Sequence, residues 1–402
     1  MSKRIKGGIT TPKGFVAAGI HSGIKKTTQL DLALIVSEKP GPIAGVFTSN
    51  ALPAAPVILD RLHLKRGIGQ ALIINSGNAN AFTGSEGFAH AKEMGRRVAD
   101  QLKIPLHHVF VGSTGVIGVP LLMPAVRKGI PKLIVRLRKT GYREAARAIM
   151  TTDTFHKEIA VQHRIAGKMI TIGGIAKGSG MIHPDMATML AYLTTDAVID
   201  QKTLQKSLRT VTNQTFNCIS VDGETSTNDT VLCLANGLAG NTPICGSSSA
   251  HTQFHNLLHE VCHFLAMEIC RDGEGATKII KIDISGASSH KAAKQFAQTL
   301  ATSPLVKTAI FGADPNWGRI IAALGRAGLP LYANRLVIAF NGLPVVKDGK
   351  GLGPRREEQI QKIMRRSSYT ISVSLGMGTR SATIWTTDLT YDYIKINASY
   401  RS

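Results

Sequence analysis

Acidic side chains are scarce in this sequence: 26 Asp and Glu stand against 48 Lys and Arg, a formal charge of +22. An excess of that size raises nucleic acid as a partner. The reading elements such a partner requires are missing as well. The densest basic run, "RKGIPKLIVRLRKTGYREAAR" from Arg127 to Arg147, holds one aromatic, Tyr142, and no zinc-finger, RNP or basic-zipper pattern. A charge run without a reading element supplies only non-specific attraction. The run is therefore read as a solvated face, with no nucleic-acid partner expected; its field can also draw in acidic metabolites.

Long apolar runs are absent too. No segment reaches the roughly 18 uninterrupted apolar residues of a membrane helix, so no membrane partner is expected. The start, "MSKRIKGGITTPKGFVAAGI", is basic but has Gly, Thr and Pro where a signal peptide needs a continuous apolar core. The expectation is a cytoplasmic chain, unprocessed at that end. Cysteine is sparse: Cys218, Cys233, Cys245, Cys262 and Cys270, with no CxxC pair, beside 13 scattered histidines. Together they give no zinc signature, so no metal is expected. The thiols are read as reduced and mostly buried. No Gly/Pro/Ser linker divides the chain, and no fixed-period repeat is present.

What remains is a globular chain of 402 residues, 43% apolar and 18% charged, enough for two domains or one large layered one. Strand and helix signals interleave. Residues 30–37, 43–49 and 71–80 read as strands, 108–118 as a strand running into a Gly/Ser/Thr loop, and 86–103 and about 134–150 as helices. In the second half, 203–217, 250–273 and 290–303 read as helices. Residues 277–287, 305–314, 369–376 and 381–390 read as strands. The class is α/β or α+β with layered sheets.

At mid-chain, "KGSGMIHPDMATMLAYLTTDA" (177–197) places Ala187-Thr188 at the end of a glycine-rich approach. A Thr hydroxyl is a weak nucleophile and needs a base beside it. Breaking the preceding peptide bond frees an α-amine that can serve as that base, with an unperturbed pKa of about 7.7–8.0. A small Ala187 leaves its carbonyl approachable, and Gly178 and Gly180 permit a tight turn. The bland alternative is a loop entering a buried strand. Carbonyl attack also needs N–H groups aimed at the oxyanion. "GSTGVIG" (112–118) can provide them around Thr114-Gly115, or can be an ordinary turn or a phosphate nest. It is no P-loop, because no GK[ST] follows.

These strings occur in a known order. "NSGNANAFTG", "GSTGVIG", "TTDT", "KGSGMIHPDMATML", "SVDGETSTNDT", "RDGEGATK", "GADPNWGRI" and "INASYRS" resemble the glutamate N-acetyltransferase / ornithine acetyltransferase family of arginine biosynthesis, over nearly the whole chain. The resemblance implies a layered α/β/β/α sandwich like that of N-terminal-nucleophile hydrolases, with a different topology. It implies self-cleavage between Ala187 and Thr188, giving an α chain (1–187) and a β chain (188–402) that assemble as an α2β2 heterotetramer. Thr188 would take the acetyl group from N-acetylornithine as an ester and pass it to glutamate in a ping-pong reaction without a cofactor. Some members of that family also accept acetyl-CoA as donor, and no residue here distinguishes the two kinds.

The resemblance assigns Thr188 as nucleophile and Thr114 and Gly115 as oxyanion hole. Thr154, Lys177, Thr188, Glu274, Asn397 and Ser402 become substrate contacts. Their chemistry suits those roles. Lys177 offers a cation to a carboxylate, Glu274 an anion to an amine, and Asn397 and Ser402 hydrogen bonds, with the C-terminal carboxylate beside Ser402. Thr151 and Thr152 lie beside Thr154. Asn75, Asn78, Asp314 and Asn316 are read as loop-holding residues, and "DGETSTNDT" as doing the same near the site. Glu224 stands where that family usually has Asp, and Asp185 where many members have Asn. Two other readings remain: a self-processed amidohydrolase or aminopeptidase using the same Thr with water as acceptor, and a basic nucleic-acid binder without activity.

Overall fold

The computed structural model describes residues 2–183, 189–246 and 248–399. Its organising element is the 16-residue strand Leu32–Phe47, well beyond the usual length of about 3–10 residues. The strand is exposed at Glu38–Pro40, and its ladder slips between Val36 and Gly41. It thereby serves two sheets. Its first half pairs with Phe15–Ile20 and Ile68–Asn78, and Val109–Val116 follows in parallel. Its second half pairs with Thr230–Ala235, and the ladder continues through Leu190–Thr195, Lys168–Lys177, Lys157–Ile165 and Lys3–Ile5.

Side-chain alternation sorts these strands into four layers. On one outer face Leu34, Ile73 and Val111 pack under helices Gly84–Leu102 and Met123–Val135. On the inner faces Ile35, Leu72, Ile74 and Phe110 meet Tyr192, Leu232 and Leu234 of the other sheet. On the far face Ala191, Leu193, Val231 and Cys233 pack against Leu204 and Leu208 of helix Gln201–Gln214 and Leu258, Val261 and Leu265 of helix Ser249–Arg271. The order is α/β/β/α, as the resemblance implies.

Most of the chain beyond residue 278 builds a second body. Ile279–Ala287 lies between Ser368–Ser374 in parallel and Arg380–Thr387 in antiparallel pairing. Helices His290–Ala301, Pro304–Gly312, Trp317–Gly325 and Pro354–Met364 contribute to an apolar cluster with this sheet. The short strand Ile219–Ser220 pairs with Trp385–Thr386 and joins the two bodies.

Four sequence expectations are corrected. Residues 305–314, read as a strand from their apolar run, fall mainly in helix Pro304–Gly312: Ser303 caps it by accepting from the Val306 N–H, and Pro304 opens it. The helix expected over 134–150 is absent as such. Met123–Val135 ends there and Tyr142–Ala148 forms separately, around a bridge between Ala17 and Arg138. The strands 30–37 and 43–49 are one strand. "GSTGV" is the end of strand Val109–Val116 rather than a loop.

No helix among the described residues is long and apolar enough to cross a membrane. Tyr142 of the basic run is half-buried and packs against the inter-sheet core.

Candidate active site

One cavity of about 70 Å³ gathers residues distant in sequence: Thr114, Gly115, Thr151, Thr152, Lys177, Gly180, Ser226, Asn228, Glu274 and Asn397 among them. Five of the residues assigned from the sequence meet here: Thr114, Gly115, Lys177, Glu274 and Asn397. Ala187, Thr188 and Ser402 lie outside the described residues, as does Asp185. The cavity adjoins the connection that contains Asp185, Ala187 and Thr188, because Lys177, Gly180 and Met181 line it.

Strand ends deliver the site. Thr114 and Gly115 close strand Val109–Val116, beside Gly77 and Asn78 of the parallel neighbour. Gly115 has φ +133°, and a Cβ there would stand 2.4 Å from the Gly77 carbonyl carbon. Only glycine fits both constraints. Asn228 ties the arrangement together by donating to the carbonyls of Ala79 at 2.7 Å and Ser113 at 2.8 Å. Ser113 in turn donates to Asn75 Oδ1 at 2.6 Å. Asn75 and Asn78 hold neighbouring carbonyls through their side-chain amides, as read from the sequence.

Lys177 ends strand Lys168–Lys177 and is 3% exposed. Its Nζ donates to Thr151 Oγ1 at 2.7 Å and Thr114 Oγ1 at 3.3 Å. Burial depresses its pKa, against the pull of Asp153 4.0 Å away. Beside it Lys157, also buried, bridges Asp153 Oδ1 at 2.7 Å and Asp272 Oδ2 at 2.5 Å. Burial alone would raise the Asp153 carboxyl. The Lys157 and Lys177 cations and the Gly178 N–H overcome it and hold the group well below the usual carboxylate range. Such a cluster is stable only if its charges stay paired, so it fixes the end of the strand that carries Lys177.

Glu274 sits opposite, in the turn after helix Ser249–Arg271. Asn397 of helix Tyr391–Ser399 donates to its Oε2 at 2.9 Å. Gly180 makes the approach possible, because a Cβ there would meet the Glu274 carboxylate at 2.4 Å. The cavity thus has a buried cation on one side and a carboxylate on the other, the complement of an amino acid. Thr154 is not among the lining residues. Its hydroxyl donates to Asp272 Oδ1 at 2.5 Å, and it faces a separate groove with Arg147 and His156. Thr151 and Thr152 hold the cavity wall.

The backbone is pinned on both sides of residues 184–188. Asp222 accepts from the Met181 N–H at 2.6 Å and the Ile182 N–H at 2.9 Å. Asp229, fully buried, accepts from the Met189 N–H at 2.6 Å. Burial pushes the Asp229 carboxyl well above its ordinary range, with the Met189 N–H and Lys177 opposing.

A family model, the ArgJ family, matches residues 16–402. The chain belongs to the ArgJ family. It is 47% identical to the arginine biosynthesis bifunctional protein ArgJ of Oceanobacillus iheyensis, over 98% of this chain and 97% of that one. It is 46% identical to the protein of the same name from Symbiobacterium thermophilum, over 99% of both. A crystal structure of ArgJ from Bacillus halodurans aligns with 46% of this chain and 98% of its own, at 42% identity and a TM-score of 0.45.

Sequence reasoning missed Asp153, Lys157 and Asp272 in this chain, whereas Asn228 and Asp229 fall in the stretch read as loop-holding near the site and do bond to backbone there. Asp153 lies within "TTDT" and Asp272 within "RDGEGATK", so a signal was present. What it lacked was the pairing: the Lys157–Asp272 bridge spans 115 positions. Among the described residues no three His, Cys, Asp or Glu side chains converge as a metal cage.

Proposed function

We propose that this ArgJ-family acetyltransferase moves the acetyl group of N-acetylornithine to glutamate through an ester on Thr188, after cutting its own chain at Ala187-Thr188. The observation that carries the reading is the cavity itself: Thr114, Gly115, Lys177, Glu274 and Asn397 line one space beside the connection that contains Thr188. The relatives' shared name, arginine biosynthesis bifunctional protein, supports the pathway.

In this reading the Thr188 hydroxyl first attacks the Ala187 carbonyl and the C–N bond breaks, which frees the α-amine and leaves an ester; water then hydrolyses that ester, releasing the Ala187 carboxylate and restoring the Thr188 hydroxyl. That amine takes the hydroxyl proton when Thr188 attacks the acetyl carbonyl. Backbone N–H groups at Thr114 and Gly115 stabilise the oxyanion. Ornithine leaves as an amine, and the amine of glutamate attacks the acetyl ester. Lys177 holds the α-carboxylate of each amino acid. Glu274, oriented by Asn397, holds the second ammonium of ornithine. Thr154 acts through Asp272, and Ser402 supplies a further contact. The chains 1–187 and 188–402 remain together as an α2β2 assembly in the cytoplasm, without nucleic acid, membrane or metal. Acetyl-CoA is a second candidate donor.

Denaturing mass analysis tests the cut: two chains are expected, one ending at Ala187 and one beginning at Thr188. The Thr188→Ala variant is expected to stay whole and inactive, and continued cleavage in it would refute the assignment. Incubation with acetylornithine, with and without glutamate, separates transfer from hydrolysis. Ornithine release indifferent to glutamate, with no acetylglutamate formed, would instead favour the amidohydrolase.

A further inference from the structure

The α-amine that serves as base in acetyl transfer does not exist until the chain is cut. In the uncut chain that nitrogen is an amide, so the Thr188 hydroxyl needs another proton acceptor to become a nucleophile. On the reading that the chain cuts itself at Ala187-Thr188, we infer that Asp229 is that acceptor. It takes the hydroxyl proton as the Thr188 oxygen attacks the Ala187 carbonyl, and gives it to the departing nitrogen.

The two carboxylates that grip the backbone around residues 184–188 differ in what they have to spare. Both oxygens of Asp222 are occupied: Oδ1 accepts from the Ile182 and Glu224 N–H groups at 2.9 and 3.2 Å, and Oδ2 from the Met181 N–H at 2.6 Å and the Tyr393 hydroxyl at 3.3 Å. Asp229 Oδ1 accepts from the Met189 N–H at 2.6 Å, but its Oδ2, buried, has no hydrogen-bond partner among the described residues. The neighbouring Thr48 hydroxyl donates to the Ser226 carbonyl at 2.7 Å. An orphaned buried acceptor in a folded protein needs a reason. The Met189 nitrogen is bonded to the Thr188 carbonyl carbon, and covalent geometry keeps the Thr188 hydroxyl oxygen within about 5 Å of it. A general base works across that distance, directly or through one water.

The sheet holds the carboxylate in place. Thr230 pairs with Leu190 in the parallel ladder, the Thr230 N–H donates to the Met189 carbonyl at 3.2 Å, and the Thr48 N–H donates to the Asp229 carbonyl at 2.9 Å. The groups acting on the carboxyl are the Met189 N–H, the Lys177 cation and the Thr48 hydroxyl, and burial outweighs them all. A carboxylate raised in this way is a stronger base than an exposed one. The step balances: a C–O bond forms, the C–N bond breaks, one proton passes from oxygen to nitrogen, and Asp229 ends as the carboxylate it began as.

The test is a time course of cutting after cell-free synthesis of the full-length chain, read on denaturing gels for wild type, Asp229→Asn and Thr188→Ala. In Asp229→Asn the new amide oxygen still accepts from the Met189 N–H, so the backbone grip survives while the proton acceptor is lost. Cutting is expected to slow about 100-fold or more, the usual worth of a general base, with the melting temperature of the uncut chain near that of uncut Thr188→Ala. The wild-type rate should rise with pH between about 5 and 9 as the carboxyl ionises, and that rise should be missing in Asp229→Asn. Cutting of Asp229→Asn at the wild-type rate overturns the role of Asp229 and leaves self-cleavage standing. A wild-type chain that stays whole, or a Thr188→Ala chain that is cut, removes both. Should Asp229→Asn misfold, the wild-type profile decides, and a rate flat across that pH range overturns the proposal.

Discussion

Strand Leu190–Thr195 is buried at every residue, whereas strand Ile279–Ala287 alternates between half-buried and buried positions through Ile284 and exposes Ser285. The first lies inside a four-layer stack, and the second has helices on one face only. The difference decides where charge can be put to use. In the sandwich, Asp153, Lys157, Lys177, Asp229 and Asp272 are all buried within or beside one cavity. In the C-terminal body, the charged pair on the central strand, Lys281 and Asp283, sits on the open face. Two covered faces give a low-dielectric setting in which a cation and a carboxylate act strongly on a bound amino acid. One covered face gives a scaffold.

Breaking the buried network should have the largest effect. Lys157→Met leaves Asp153 and Asp272 buried without their bridge and should cost about 3–5 kcal/mol, read by urea unfolding. Next, Lys177→Met should lower kcat/KM for acetylornithine by about 10- to 100-fold, the worth of a charged hydrogen bond, while circular dichroism stays unchanged. An unaltered kcat/KM would remove Lys177 from substrate binding.

The C-terminal body contains exceptions that sharpen the contrast, Lys307 and Asp388 among them. Lys307 is buried against Thr386 and Thr387, and burial pushes its pKa from 10.5 down to about 8. Between those values the unfolded chain binds the extra proton, so stability should rise as pH increases from about 8 to 10.5. Lys307→Met should remove part of that rise, at most a few kcal/mol. Lys25, also pushed down to about 8 by burial, and Lys177 and Lys278, lowered by burial too, should keep the rest. Melting temperatures at pH 7.5 and 10 check the sign. The smallest effect belongs to Lys281→Met, within about 1 kcal/mol.

The same contrast explains what the sequence disclosed. "TKIIKIDISGA" was legible as a strand because a one-sided sheet writes an alternating pattern. "LVKTAIFGAD" carries an apolar run that fits a strand or a buried helix, and only the Ser303-Pro304 start arbitrates. Lys177, Glu274 and Asn397 were legible through their motifs and do meet. The Lys157 bridge was not, because neither chain spacing nor residue type announces a pairing made by tertiary folding. Thr188 itself lies outside the described residues, so its assignment rests on motif and neighbourhood.

One feature of the sheet bears on the life of the molecule. Strands Lys168–Lys177 and Leu190–Thr195 are antiparallel neighbours, from Ile172 opposite Thr195 to Lys177 opposite Leu190. A cut in the connection between them turns a ladder within one chain into a ladder between two. While the protein stays folded, Asp222 and Asp229 still grip the backbone on either side. Once it opens, the pieces diffuse apart, and reunion becomes a second-order reaction in dilute solution. A chain cut there would then persist by its unfolding rate rather than by an equilibrium it can revisit: an uncut chain can refold, and a cut one would only endure.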